Sequence, residues 1–142
     1  MFEFLKKHDV FLCPRVEGSI TVDGIPVHDV KIMREVIYDD ELIDRTETSE
    51  SGAFHFDELR IKSRTPSKAF DESRTRQVIV ADYKDKRYLL WLHITDSIQE
   101  EPVISEKLKR LNCDLKNPET YHHFPRPGKP GLTYNIKSIC RW

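Results

Sequence analysis

The segment that decides the fold is residues 16–27, with the sequence VEGSITVDGIPV. Its even-numbered positions from 16 to 22 hold valine, isoleucine or glycine, and the positions between them are polar. Side chains alternate between the two faces of a β-strand, so this pattern predicts a half-buried strand over Val16–Val22. Asp23 and Gly24 then predict a tight turn, because glycine adopts positive φ values that other residues resist, and Pro26 fixes the entry to the next strand.

Further alternating or apolar segments follow at short intervals, which is the pattern of a β-sandwich or barrel. Two polar stretches, residues 62–76 and 117–131, lack this periodicity, and the second holds four of the eight prolines. Both are predicted to be loops. Leu108 and Leu111 are spaced as on a helix, which predicts one short helix over residues 105–111. The predicted strands are Val16–Val22, Val27–Tyr38, Leu42–Thr48, Ala53–Leu59, Gln77–Tyr83, Arg87–Ile94 and Leu132–Cys140.

We therefore predict an all-β sandwich of about seven strands that forms a single domain over residues 1–142. A chain of this length buries roughly two thirds of its unfolded surface, which is enough for one core. Trp91 is expected in that core because its strand is apolar on both faces. The other predicted core residues are Ile20, Val22, Val30, Ile32, Phe54, Phe56, Leu90 and Leu92.

Two stretches together resemble the carboxypeptidase regulatory-like, or transthyretin-like, domain family: VEGSITVDGIPVHDVKI at residues 16–32 and TSESGAFHF at residues 48–56. They contain the family's glycine in the first strand, its Gly-x-Pro-Val turn and its Thr-x-x-x-Gly-x-Phe-x-Phe hairpin. The resemblance covers about residues 15–60 and implies a Greek-key sandwich of seven strands. The remainder, including residues 95–142, is then an elaboration particular to this chain.

Enzymes of similar architecture allow a test for catalysis. Hydroxyisourate hydrolases end in a Tyr-Arg-Gly-Ser motif, whereas this chain ends in ICRW at residues 139–142. Intradiol dioxygenases bind iron through two tyrosines and a His-x-His pair, whereas His122 and His123 are adjacent and would point to opposite faces of a strand. We therefore expect no catalytic residue, no metal and no cofactor. The alternative is a small hydrolase or metalloenzyme that uses His122 and His123, with Tyr121 and Tyr134 nearby in an irregular loop.

The charged residues are balanced, with 23 Lys and Arg against 24 Asp and Glu, and the two signs are interspersed. Proteins that bind nucleic acid normally carry a basic excess on one face, so we expect no such partner. No segment approaches the roughly 20 apolar residues that span a bilayer. Asp9 interrupts the apolar run that a signal peptide would need. We therefore expect a cytoplasmic protein without membrane insertion.

The three cysteines, Cys13, Cys113 and Cys140, form no CxxC pair and lie near no histidine at zinc-finger spacing. Two interpretations stay open. Either all three are buried free thiols, or Cys113 and Cys140 form a disulfide across the C-terminal loop. The disulfide would require an oxidising compartment.

The two predicted loops are the expected recognition surface, because loops held on a rigid scaffold vary without harming the core. Aromatic residues in polar surroundings are the candidate partner contacts, since such side chains often anchor interfaces. These candidates are Phe70, Tyr121, Phe124 and Trp142. In the alternative interpretation, each of these side chains packs against the sandwich and holds its own segment in place.

These observations favour a non-enzymatic module that binds another protein, whose identity the sequence does not give. A narrower hypothesis is an immunity or accessory protein that binds a secreted bacterial toxin or effector, which rests on general similarity to small proteins of this type and on no motif. A carbohydrate-binding or adhesion module fits the sandwich but not the expected lack of a signal sequence.

Overall fold

The computed structural model describes residues 6–67 and 74–142, and across them the chain forms an all-β, sandwich-like fold with one short α-helix. This confirms the predicted fold class. The helix, α1, spans Pro102–Leu108. In chain order the strands are β1 (His8–Cys13), β2 (Val16–Val22), β3 (Ile25–Pro26), β4 (Lys31–Ile37), β5 (Glu41–Glu47), β6 (Ala53–Phe56), β7 (Leu59–Ser63), β8 (Thr75–Tyr83), β9 (Lys86–Thr95), β10 (Leu111–Asp114), β11 (Thr120–Pro125) and β12 (Thr133–Ser138).

One layer is a six-stranded antiparallel sheet in the order β11-β12-β9-β8-β4-β5. Its central hairpin, β8–β9, turns at Lys84 and Asp85, whose φ angles are 50° and 61°. Two successive positive φ angles give the turn a twist that matches the twist of the flanking strands. The predicted hairpin at this position is confirmed.

The facing layer is organised around β2. Strand β10 pairs in parallel with one edge of β2, while β6 and β3 pair with the other edge in antiparallel fashion. Strands β1 and β7 form a separate antiparallel pair. Gly18 is required where β6 and β10 flank β2, because a Cβ atom there would lie 2.7 Å from Phe54 Cζ and 2.8 Å from the Leu111 carbonyl oxygen.

The core lies between these layers and is closed at one end by α1. Seven of the nine predicted core residues, Trp91 among them, are buried, and Val22 and Leu92 are only half-buried. The prediction for Leu92 is wrong because the β8–β9 register shifts opposite Leu90. The extra residue turns Trp91 and His93 into the protein and leaves Leu92 on the outer face.

Two buried polar side chains cross the interior. The Arg34 side chain is 1% exposed, donates to the Asp57 carbonyl oxygen at 2.8 Å and to the Asp44 carboxylate, and lies over the Phe56 ring. Gln77 donates to the Leu12 carbonyl oxygen at 2.9 Å and accepts from the Trp91 indole at 3.1 Å. The hydrogen bonds of Gln77 therefore connect β1 to β8 and β9.

Several predicted boundaries are wrong. The described part of the chain has twelve strands rather than about seven, and β1 was not predicted. Residues 117–131 contain strand β11, and residues 62–76 overlap the ends of β7 and β8. The helix begins three residues earlier than predicted, with Pro102 in its first turn, where a missing N–H costs nothing. In the described residues no helix has the length and apolar composition to cross a membrane.

Candidate functional site

The three predicted contact residues that the structure describes, Tyr121, Phe124 and Trp142, do not form one surface. Phe70 lies outside the described residues. Tyr121 and Phe124 lie on β11 and not in a loop, and their odd and even positions place them on opposite faces of that strand. The Tyr121 side chain is exposed, whereas Phe124 and Trp142 are half-buried.

Phe124 and Trp142 belong to an aromatic cluster with His122 and Trp91. Trp142 lies edge-on to the other three rings, at centroid distances of 5.0 Å from His122, 5.3 Å from Phe124 and 6.2 Å from Trp91. Its indole N–H donates to the Lys107 carbonyl oxygen of α1 at 2.9 Å. The cluster therefore packs β11 and the C-terminus against the helix and β9.

His122 and His123 point to opposite faces of β11. His122 Nε2 lies 3.3 Å from the Ser138 carbonyl oxygen, and burial lowers the pKa of this imidazole more than that contact raises it. His123 Nδ1 lies 2.6 Å from Asn135 Oδ1 on the outer face. Among residues 6–67 and 74–142, no three His, Cys, Asp or Glu side chains are placed to hold a metal ion together.

The structure joins Cys113 and Cys140 in a disulfide, with their Cα atoms 4.1 Å apart. The bond links β10 to the C-terminal segment that carries Trp142. Cys13 is a buried free thiol, and burial raises its pKa to about 11 even though the neighbouring Arg34 opposes the shift.

The candidate site is a groove where two neighbours in the six-stranded sheet separate. Strand β9 runs to Thr95 and β12 begins at Thr133, but contact between them is confined to the C-terminal end of β12, where Lys137 pairs with Leu92 and the Ile139 N–H just after β12 donates to the Leu89 carbonyl oxygen at 3.0 Å. Beyond that pair they diverge and enclose a groove of about 450 Å³, which we name the β9–β12 groove. Within the described ranges 6–67 and 74–142, residues 93–95 of β9 and 133–135 of β12 therefore have no strand partner on the side that faces the groove.

The floor of the groove is formed by side chains that point into the protein. His93 is 3% exposed, and its Nε2 lies 3.2 Å from a carboxylate oxygen of Glu101, which is 10% exposed. The Tyr134 ring meets the His93 ring edge-on at 5.8 Å. Burial raises the pKa of the Tyr134 hydroxyl, the Glu101 charge adds to this, and Arg126 opposes it. The floor groups thus hold one another in place.

The walls carry aromatic rings and cations. Lys137 Nζ lies 5.6 Å from the centre of the Tyr121 ring, and the Arg126 guanidinium lies 5.0 Å from the centre of the Tyr134 ring. Ile94, which is 56% exposed, lines the opposite wall. The groove therefore offers apolar contact, hydrogen-bond donors and open backbone edges, a combination suited to binding a chain segment.

Sequence reasoning named only two of these groove residues, Tyr121 as a partner contact and Tyr134 as a neighbour of the alternative metal site. His93 stands in an apolar strand, and its inward orientation depends on the bulge at Leu90. Arg126, Lys137 and Glu101 come from separate segments that meet only in the folded sheet. A usable signal existed in residues 121–124, where two histidines stand between Tyr121 and Phe124 in a run of ring-bearing side chains, but the flanking prolines at 118 and 125 favoured a loop.

Comparison with protein families gives one match. A family model described as "Domain of unknown function (DUF6795)" matches residues 16–118, which is more than half of the chain and runs from β2 to the end of β10. The match ends before β11 and β12, which form one wall of the groove. Neither the comparison with curated proteins nor that with solved structures gives a match.

Proposed function

This chain belongs to the DUF6795 family, and we propose that it is a non-enzymatic module that binds a segment of another protein in the β9–β12 groove. The observation that carries the proposal is that β9 and β12 pair only near the C-terminal end of β12 and are apart over residues 93–95 and 133–135. Interior strands of a sheet normally satisfy each other's backbone groups. In the described part of the chain, these stretches of β9 and β12 have no strand partner on the groove side, and an extended segment of a partner can pair with them beside Ile94 and Tyr121.

The chemistry of the groove favours binding over turnover. His93 is nearly buried and its Nε2 faces Glu101, so this nitrogen is not directed at a hydroxyl or thiol nucleophile. The alternative of a hydrolase or metalloenzyme at His122 and His123 gains no support, because one side chain packs into the aromatic cluster and the other lies on the outer face.

The proposal is tested with a photo-crosslinking residue at position 94, introduced into the full chain in its native organism. Position 25 is a matched control, since Ile25 is also an exposed isoleucine, 69% accessible, but lies on β3 in the other layer. We expect position 94 to crosslink to a partner that position 25 does not reach. The affinity of that purified partner should fall on changing Ile94→Ser and stay unchanged for Ile25→Ser. Equal effects at the two positions would refute the groove as the binding site.

An immunity or accessory role toward a secreted bacterial toxin or effector remains a narrower form of this proposal. It requires that the crosslinked partner be encoded beside this chain and be toxic without it. Co-expression of the partner with the wild-type chain or with the Ile94→Ser variant measures protection directly. A partner that shows no toxicity would remove the immunity role while leaving the binding module in place.

A cytoplasmic location is also a proposal, and the disulfide makes it testable. Disulfides rarely persist in reducing compartments. Trapping free thiols in native cells by alkylation, before lysis, distinguishes reduced from oxidised Cys113 and Cys140. Two alkylated cysteines at these positions would support the cytoplasm, and a protected pair would support an oxidising compartment.

A further inference from the structure

The outer face of the six-stranded sheet is apolar at its centre. An antiparallel sheet that packs one face on the core normally presents polar side chains on the other face. Here Met33, Val78 and Leu89 point outward from β4, β8 and β9 and are only half-buried, and Val80 lies among them. Ile43, on the edge strand β5, is 37% exposed. We name these five residues the outer patch, and exposed apolar patches bordered by polar groups mark binding surfaces.

A row of four charged residues borders the outer patch. The strand register places them side by side across β5, β4, β8 and β9, in the order Glu47, Lys31, Asp82 and Arg87. They share the face of the patch, because Lys31 is two residues from Met33 and side chains alternate along a strand. The charges along the row are therefore negative, positive, negative and positive.

A row with this order of charges is complementary to itself. A two-fold axis parallel to the strands, midway between β4 and β8, exchanges β4 with β8 and β5 with β9 between two copies. Lys31 then faces Asp82 of the second copy, and Glu47 faces Arg87 of the second copy. Each contact occurs twice, because residues exchange roles across a two-fold axis. Every charge of the row thus meets one of opposite sign.

The four groups have hydrogen-bonding capacity for these contacts. Lys31 and Glu47 have no ion-pair partner in the part of the chain that the structure describes. Asp82 accepts from Arg87 at 2.8 and 3.0 Å, and the two side chains are 43% and 60% exposed. A guanidinium has five N–H donors and each carboxylate oxygen has two acceptor positions. A second copy therefore extends this pair into a network and does not have to break it.

The apolar residues of the face obey the same symmetry. The axis places Met33 over Val80 of the second copy, since these residues are cross-strand neighbours on β4 and β8. Glu35, also on the outer face of β4, is neutralised by Arg76 at 3.1 Å. Arg45 stands on the edge strand, so its long side chain can extend past the rim into water. Sheets that pack face to face keep their strands roughly aligned, as this axis requires.

We propose that the outer patch and its charged row bind a second copy of this chain about this two-fold axis. The inference goes beyond the proposed function and does not depend on it. The second copy covers β5, β4, β8 and β9, whereas β12 and β11 lie past its edge. The β9–β12 groove therefore lies at the margin of the dimer and stays open to its own partner.

Charge-reversal variants of the full chain test the pairing of Lys31 with Asp82. Lys31→Glu places two carboxylates opposite each other, and Asp82→Lys places two ammonium groups there. We expect wild type to sediment as a dimer in a concentration series, and each variant alone to raise the dimer dissociation constant by about tenfold or more. An equimolar mixture of the two variants should regain dimers, because opposite charges meet again in the mixed pair. That recovery also shows that both variants are folded.

Lys62→Glu is the matched control. Lys62 is also an exposed lysine beside an aspartate, 3.4 Å from Asp9, but it lies on β7 in the other layer. Its reversal should leave the dimer dissociation constant of wild type unchanged.

Four results overturn the inference: a wild type that is monomeric at every concentration, a Lys31→Glu variant that dimerises as tightly as wild type, a mixture that stays monomeric, or a Lys62→Glu variant that is weakened equally. Assembly of wild type beyond the dimer would also overturn it, because a two-fold contact closes on itself. A monomeric wild type that binds a different protein, and loses it with Lys31→Glu, would assign the outer patch to that protein and refute the second copy.

Discussion

Gly18 shows how a single residue sets the spacing of the second layer. Strands β6 and β10 approach β2 from its two edges, and Phe54 and Leu111 occupy the space that a side chain at position 18 would need. The Leu111 contact is to a backbone oxygen, which cannot rotate away. Substitution must therefore displace a strand or the Phe54 ring.

We expect Gly18→Ala to lower the free energy of unfolding by about 1–3 kcal/mol, the usual cost of overpacking a filled interior. Urea unfolding followed by tryptophan fluorescence measures this, with Trp91 as a buried reporter. Glu17→Ala on the same strand is the control, because that side chain is exposed. Equal midpoints for the Gly18→Ala variant and wild type would show that β2 is not flanked this closely.

Cys13 should be chemically inert in the folded protein. The nucleophile in alkylation is the thiolate, and a pKa of about 11 keeps this thiol protonated near pH 8. We expect one cysteine to resist iodoacetamide in the native state and to react after unfolding, with mass spectrometry identifying it as Cys13. Rapid native labelling at Cys13 would contradict its burial.

Strand β11 is the element that changes the interpretation of the sequence most. The sequence pattern groups two of its aromatic residues, Phe124 and Tyr121, as candidate partner contacts in one loop. Their opposite orientations give them different roles. Phe124 joins Trp142 in the cluster against α1, and Tyr121 stays at the groove.

We therefore expect Trp142→Ala to destabilise the protein by about 2–4 kcal/mol, somewhat less than a fully buried aromatic residue would. Phe124→Ala should act in the same direction. Tyr121→Ala should remain within about 0.5 kcal/mol of wild type, as surface substitutions usually do. Thermal denaturation of the three variants decides the matter, and a destabilised Tyr121→Ala with an unaffected Trp142→Ala would reverse the assignment.

The disulfide also links two elements, because it joins Cys113 of β10 to Cys140, which lies 27 residues later in the C-terminal segment. Closing a loop of that length stabilises a fold by about 3–4 kcal/mol in the chain-entropy model. We expect reduction of the wild type to lower the unfolding midpoint in urea by a corresponding amount. The Cys113→Ala, Cys140→Ala double variant should show no further change with reductant. A wild type indifferent to reductant would mean that the bond contributes nothing to stability.

Across the whole molecule, the sequence predicts what depends on local pattern. The alternation at Val16–Val22, the phenylalanines of β6 and the Lys84–Asp85 turn are all local features, and all are found in the structure. Leu92 and Arg34 were missed for non-local reasons. The bulge at Leu90 reverses which side chains of β9 face the core. Arg34 is buried because Asp44 and the carbonyl oxygen of Asp57, which lies between β6 and β7, accept its hydrogen bonds.

The groove could not be predicted from the sequence, again because it depends on non-local contacts. It exists because β12 starts apart from β9 and joins it only at Lys137, a relation between residues about 40 positions apart. Its floor joins His93 to Glu101, and its wall joins Arg126 to Tyr134. None of these residue pairs has a motif that marks it in advance. Tyr121, an exposed aromatic residue in a polar stretch, could be identified from pattern as a partner contact, and Tyr134 was named only as a neighbour of the alternative metal site.

Hydrogen exchange of the full chain, with and without the partner captured through position 94, tests the groove most directly, because it requires no variant that could misfold. Backbone amides without a strand partner exchange quickly until they acquire one. We expect the partner to slow exchange in peptides that cover residues 92–96 and 133–137, and to leave the β1–β7 pair and β3 unchanged. Protection confined to β3, to the β1–β7 pair or to the β5 edge, with unaltered exchange in β9 and β12, would contradict binding in the groove.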